Sequence, residues 1–274
     1  MQEKIPTKSL MVNVVLVLFV VLTVWWLALN PLSVDPNLDH SKYIWGTFYQ
    51  IIAIWGGVLG IIISKSYGGI KSLLGKAILF FALGLLFQAF GQSVYSYYNL
   101  FANIQAPYPS LGDVGFFGSV IMYIIGVLNL AKVSGVTFSI QSYKHKIQAF
   151  LIPTVMLIFS YYLFLKDYTF DFSNMLKIVL DFGYPLGQAF YVSIAILALI
   201  FSRKVLGGMM KKPILWFLFS LIVQYTCDFN FLFQANNGSW HVGAYGDFLY
   251  MFSYLLMSLS IIKIGYTLKN IRES

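Results

Sequence analysis

The sequence predicts an all-α integral membrane protein: eight transmembrane helices in a tandem 4+4 parallel repeat, with both termini cytoplasmic. Three observations predict it. Hydrophobic residues make up 59% of the 274 and charged residues only 10%, with a mean hydropathy of +0.76, whereas a soluble domain carries about a quarter charged residues. Eight apolar stretches reach roughly the 20 residues that cross a bilayer at about 1.5 Å per residue. The last four stretches also repeat the first four. Gln88 aligns with Gln224, and Gly112-Asp113 with Gly246-Asp247, at a nearly constant offset. Around these anchors GDVGFFGSVIMYIIGVLNL (112–130) reads against GDFLYMFSYLLMSLSIIKI (246–264), and FQAFGQSVYSYYN (87–99) against VQYTCDFNFLFQA (223–235). Such a duplication divides the chain into a first repeat, 1–133, a cytoplasmic linker, 134–146, and a second repeat, 147–274.

The spans are expected near 10–30, 44–65, 73–98, 114–133, 147–166, 175–202, 212–234 and 246–267. Span one follows Lys4 and Lys8 and imitates a signal peptide, but it is too long and no small-x-small cleavage site follows. Its partner in the repeat is 147–166, so it is expected to be retained. In span two, Gly56 and Gly60 have the small-xxx-small spacing, and Gly115 and Gly118 lie near the outer start of span four; small residues let helices approach closely in lipid. Span six contains Pro185, which removes a backbone donor and predicts a kink. Each repeat has an even number of spans, so the two face the same way, related by an axis along the membrane normal. The loops are short, which leaves no room for a soluble catalytic domain.

Orientation follows from the basic residues. Fifteen of the 18 fall on one side: Lys4, Lys8, Lys65, Lys71, Lys76, Lys132, Lys144, Lys146, Arg203, Lys204, Lys211, Lys212, Lys263, Lys269 and Arg272. The other side has Lys42, Lys166 and Lys177 with Asp35, Asp39, Asp113, Asp167, Asp171 and Asp247. A multi-pass protein of the plasma membrane with a basic cytoplasmic rim is the expectation. The net charge of +8 is then topological, suited to anionic lipid and not to nucleic acid. Trp25, Trp26, Trp45 and Trp240 fall near outer boundaries, as an aromatic belt would. Cys227 is the only cysteine, so no internal disulfide can form. Asn237-Gly238-Ser239 fits a glycosylation sequon on the outer side.

Polar groups in hydrocarbon point inward, pair, or line a cavity. Gln88 and Gln92 share one face of span three, and Gln224 and Asp228 hold the equivalent places in span seven. Span six adds Asp181 and Tyr184, and Asp113 and Asp247 open spans four and eight. Together they define a candidate outward-facing polar pocket for a small ligand. The plainer readings are helix capping for Asp113 and Asp247 and interhelical hydrogen bonds for the glutamines. Asp181 and Asp228 need protonation, water or a partner at such depth. His40, His145 and His241 are expected in loops, which argues against haem or an intramembrane zinc site. Lys263 lies where lysine snorkels to the interface, which argues against a retinal Schiff base. The Gly-Asp pairs lack the Gly-x-Gly-Asp of intramembrane aspartyl proteases. No nucleophile elbow, phosphate loop or metal cluster is present, and no cofactor is expected. Three readings stay open: a sensor or regulator, a small-solute or ion transporter, and an intramembrane enzyme with Asp181 and Asp228 as acid and base.

Tyr108-Pro109-Ser110-Leu111-Gly112-Asp113-Val114-Gly115-Phe116-Phe117, Tyr184-Pro185-Leu186, Asp228 and Tyr245-Gly246-Asp247-Phe248-Leu249-Tyr250 form a pattern across nearly the whole chain. It resembles the N-terminal multi-helix membrane sensor modules of bacterial and archaeal signalling proteins, notably diguanylate cyclases and histidine kinases. In those modules the stretches read approximately Pro-Ser-x-Ala-Asp-x-x-Tyr, Tyr-Pro-Leu-x-Asp and Gly-x-x-x-Asp-x-x-Trp. Here Gly112 stands for the alanine and Gln188 lies near the expected second acid. The resemblance implies a sensory role. Ser274 follows closely on span eight, so the expected output is to a separate cytoplasmic signalling protein.

Overall fold

The computed structural model describes residues 8–30, 38–135, 143–205 and 209–273; most of the linker, 136–142, and Asp35 lie outside them. Among the described residues every regular element is helical. These are α1 (Lys8–Leu29), α2 (Leu38–Phe48), α3 (Ile51–Ser66), a 3-10 turn (Gly69–Lys71), α4 (Leu73–Leu100), α5 (Leu111–Val133), α6 (Tyr143–Phe164), α7 (Met175–Val205), α8 (Lys211–Asn236) and α9 (Tyr245–Glu273). They supply eight helical segments long and apolar enough to cross a membrane, α2 and α3 together making the second, with mean hydropathy between 1.3 and 2.6. The chain is a multi-pass membrane protein by this measure.

The second span departs from the expected continuous helix: it breaks at Tyr49-Gln50. No proline or glycine marks the break, and tertiary contacts on either side of it explain why. The Gly46 carbonyl accepts the Gln92 amide at 2.9 Å, Gln50 Oε1 accepts from Ser93 Oγ at 3.2 Å, and the Trp45 indole donates to the Leu22 carbonyl at 2.9 Å. Local sequence could not announce bonds made by α1 and α4. Pro185, by contrast, sits inside α7, which continues through it to Val205.

Helix starts follow local chemistry more closely. The turn before α4 uses Gly68 and Gly69 at positive φ (89° and 55°), where only glycine is unstrained, and Ser72 caps α4 by accepting from Gly75 N at 2.9 Å. At α5 the N-cap is Ser110, and Asp113 is the residue that reaches back to it, completing a capping box. The expectation that Asp113 itself was the cap is therefore displaced by one turn.

α1 runs antiparallel to α9: Phe19 packs between Phe248 and Phe252, and Trp26 lies 4.6 Å from Phe248. The first turn of α1 and the last turn of α9 therefore lie toward one face, here the terminal face, with the opposite one the far face. Six spans form a closed ring in the order α2/α3, α4, α5, α7, α8, α9 and back to α3. α1 lies outside against α9, and α6 lies outside against α7. Their apolar windows are 17% and 6% buried, against 44% or more for the other spans, so these two are left mainly to lipid. Across the ring Phe81 of α4 meets Phe217 of α8, with ring centroids 4.4 Å apart. α4 and α5 touch backbone to backbone: a Cβ at Gly115 would stand 2.4 Å from Gly91 N. Gly56 and Gly60 pack within the chain, against Ser258 and Ala82. The aromatic belt is corrected at one position. Trp45 is fully buried and serves packing.

Candidate functional site

The polar residues singled out in the sequence lie toward the far face, but the structure distributes them over separate groups and does not bring them to one open chamber. The first group is central. Asp228 of α8, 3% exposed, accepts three hydrogen bonds: from Tyr191 Oη at 2.6 Å, Tyr250 Oη at 3.0 Å and Gln224 Nε2 at 3.0 Å. Gln224, fully buried, accepts from Ser253 Oγ at 2.8 Å through its other end. Gln88 repeats the motif on the neighbouring side. Its amide donates to Ser119 Oγ at 2.7 Å and its carbonyl accepts from Tyr254 Oη at 3.2 Å. Gln224, Ser119, Ser253 and Tyr191 expose no surface to solvent, so this is a packed network and not a solvated cavity. Beside it the fully buried Tyr123 hydroxyl has no hydrogen-bond partner, its ring 5.8 Å from that of Tyr191.

Two further groups are clasps built alike. Asp113, 4% exposed, uses Oδ2 to accept from Ser110 N at 2.7 Å and Oδ1 to accept from Tyr184 Oη of α7 at 2.8 Å. Asp247, 2% exposed, uses Oδ2 to accept from Gly243 N at 2.7 Å and Oδ1 to accept from Tyr49 Oη at 3.3 Å. In each, an aspartate in the first turn of a helix returns one oxygen to the chain just before that helix. The other oxygen holds a tyrosine from a distant span. Gln92 belongs to none of these groups; it holds the broken second span through Gly46.

Asp181 forms the outermost group. Tyr108 Oη donates to its Oδ1 at 2.6 Å and Tyr168 Oη to its Oδ2 at 2.8 Å, both from loops on the far face. Partial desolvation, then the bond to this carboxyl, holds the Tyr108 phenol above its ordinary pKa, although the side chain is 43% exposed. Phe170 and Phe182 stack on each other and meet the Tyr168 ring edge-on, each with its centroid 5.2 Å from it.

Asp181 and Asp228 share no hydrogen-bond partner, and Asp181 precedes Tyr191, which binds Asp228, by about 15 Å of helical rise along α7. The contact that an acid–base pair requires is not made. Cys227 donates to the Leu249 carbonyl at 3.2 Å. His40 and His145 stand in the first turns of α2 and α6, at span ends and not in loops as expected, while His241 is in a loop. Among the described residues no group of three or more His, Cys, Asp or Glu is placed to hold a metal. The sequence marked the acids, the amides and Tyr184, and it placed Tyr108 beside them, but it did not mark the other tyrosines that bind them: Tyr49, Tyr168, Tyr191, Tyr250 and Tyr254. In an apolar span a tyrosine reads as an aromatic filler, and only a partner identifies its hydroxyl as a donor.

No protein family, curated protein or solved structure matches the chain.

Proposed function

We propose that this chain is a sensor or regulator of the plasma membrane, built as two like-facing copies of a four-span unit with both termini in the cytoplasm. Several contacts support the duplication. Tyr49 and Tyr184 donate to Asp247 and Asp113, and the two tyrosines are separated along the chain by nearly the same interval as the two aspartates. Each copy's second-span tyrosine thus holds the other copy's last-span aspartate. Gln88 with Ser119, and Gln224 with Ser253, are the same pair at nearly the same spacing. Phe81 meets Phe217, its counterpart at the repeat offset, as residues beside a two-fold axis meet their own equivalents. Tyr49-Gln50, where span two breaks, corresponds to Tyr184-Pro185 in α7.

One observation carries the regulatory reading: the copies are joined by paired tyrosine–aspartate clasps toward the far face and by an apolar Phe81–Phe217 contact deeper in. A ligand that competes for a clasp would act directly on how the copies pack. It shifts that packing only if it binds the two arrangements with different affinity. The lysine-rich terminal face is where a cytoplasmic signalling protein would read the change. Against transport stands the aromatic Phe81–Phe217 contact across the ring, since a pathway needs polar lining through both leaflets. Against the intramembrane enzyme stands the separation of Asp181 from Asp228.

The test is hydrogen exchange on the purified chain and on the Tyr49→Phe/Tyr184→Phe variant. A regulator shows altered exchange at the terminal-face segments 66–72 and 143–146 as well as at the far face. Changes confined to residues 101–110 and 237–247 would leave the clasps as local packing and end the regulatory reading.

A further inference from the structure

An open cavity of about 240 Å³ lies on the outside of the bundle between α7 and α8, lined by Leu199, Leu215, Trp216 and Phe219. Its wall faces outward: Trp216 is 49% exposed and Phe219 43%. The cavity sits toward the terminal ends of both helices, and lysines gather at that end. Lys263 of α9 places Nζ 5.7 Å from the centroid of the Trp216 ring. Lys212 stands one turn before Trp216 on the same face of α8, and Lys211 one turn before Leu215. Two lysines in the first turn of a helix, with no acid there, oppose the helix dipole, and a negative group beside them offsets the conflict.

An apolar slot with Lys211, Lys212 and Lys263 near its membrane-boundary end fits one occupant by charge and by shape. We propose that this groove seats an acyl chain of a phospholipid with a net negative headgroup, whose phosphate is held by Lys212 and Lys263. The site is independent of the regulatory reading and needs only that the bundle be in a bilayer. Trp216 is its gauge, because the ring lines the slot and also lies under Lys263.

The full chain, reconstituted in phosphatidylcholine nanodiscs, is titrated with phosphatidylglycerol brominated at mid-chain. The Trp216 emission is isolated by difference from Trp216→Phe. Quenching by the brominated anionic lipid is expected to saturate, at a lower mole fraction than with brominated phosphatidylcholine. Lys212→Gln and Lys263→Gln each weaken the apparent affinity about fivefold, the size expected for one lysine at a charged membrane surface. Both side chains are exposed, so the variants should fold. Inorganic phosphate alone should not displace the lipid. Equal quenching by the two lipids, a preference unchanged in the double lysine variant, or no quenching by either (as a protein covering the groove would give) overturns the proposal.

Discussion

At the scale of single residues, the buried carboxyl of Asp228 ties three helices together. Three donors from α7, α8 and α9 converge on one carboxyl, with no lysine or arginine among its partners. Asp228→Asn leaves one acceptor oxygen for those three donors and turns an amide nitrogen toward at least one of them. Unsatisfied buried donors cost about 1–3 kcal/mol each. The variant should unfold in mild detergent at clearly lower temperature than the parent. Gln92→Ala removes a single bond to Gly46 and should lose only about 0.6–1 kcal/mol. If thermal unfolding ranks the two equally, the network is not a stability element. The sequence marked Asp228 and Gln224 because charge and amide in hydrocarbon demand partners. It could not say that the partners are phenols, because any of the 19 tyrosines in the chain could have been lipid-facing.

At the scale of elements, the positions of all eight spans were legible, since length and hydropathy alone define them. Which face of each span is buried was not legible. Spans that are apolar nearly all round carry no amphipathic stripe, and scattered polar and small residues are the local hints left. Gly115 shows how far that hint goes. A Cβ there would stand 2.4 Å from Gly91 N and 2.6 Å from Phe87 O, both backbone atoms, whereas at Gly118 the nearest atom, at 2.5 Å, belongs to the Phe87 ring. Backbone in two packed helices cannot step aside, but a ring can turn. Gly115→Ala should therefore destabilise by about 1–3 kcal/mol or more and Gly118→Ala by distinctly less, read as the loss of monodisperse protein on heating. The break in span two stayed invisible for a related reason. It is held by Gln92, Ser93 and Leu22, all of which belong to other spans.

At the scale of the whole molecule, the basic residues predict sidedness and the ring order sets which spans of the two halves touch. A Cys227→Ser background allows single cysteines to report orientation. An impermeant maleimide added to intact cells should label Gln105→Cys, Asp171→Cys and Ser239→Cys and spare Lys71→Cys, Lys144→Cys and Lys212→Cys. The reverse pattern would invert the topology and move the proposed ligand face to the cytoplasm. One further consequence comes from the bonds that α1 makes. The Trp26 indole donates to the Gly243 carbonyl at 2.8 Å, a residue 217 positions later, and Asn30 donates to the same carbonyl. At roughly 5–20 residues per second, the ribosome reaches that carbonyl about 10–40 s after these side chains are made. During biogenesis the first span must wait in the bilayer with the Trp26 indole still without this acceptor, while Asn30 can hold the Trp26 carbonyl at 2.9 Å. Assembly is then completed from the tail, when the last hairpin arrives to latch the first.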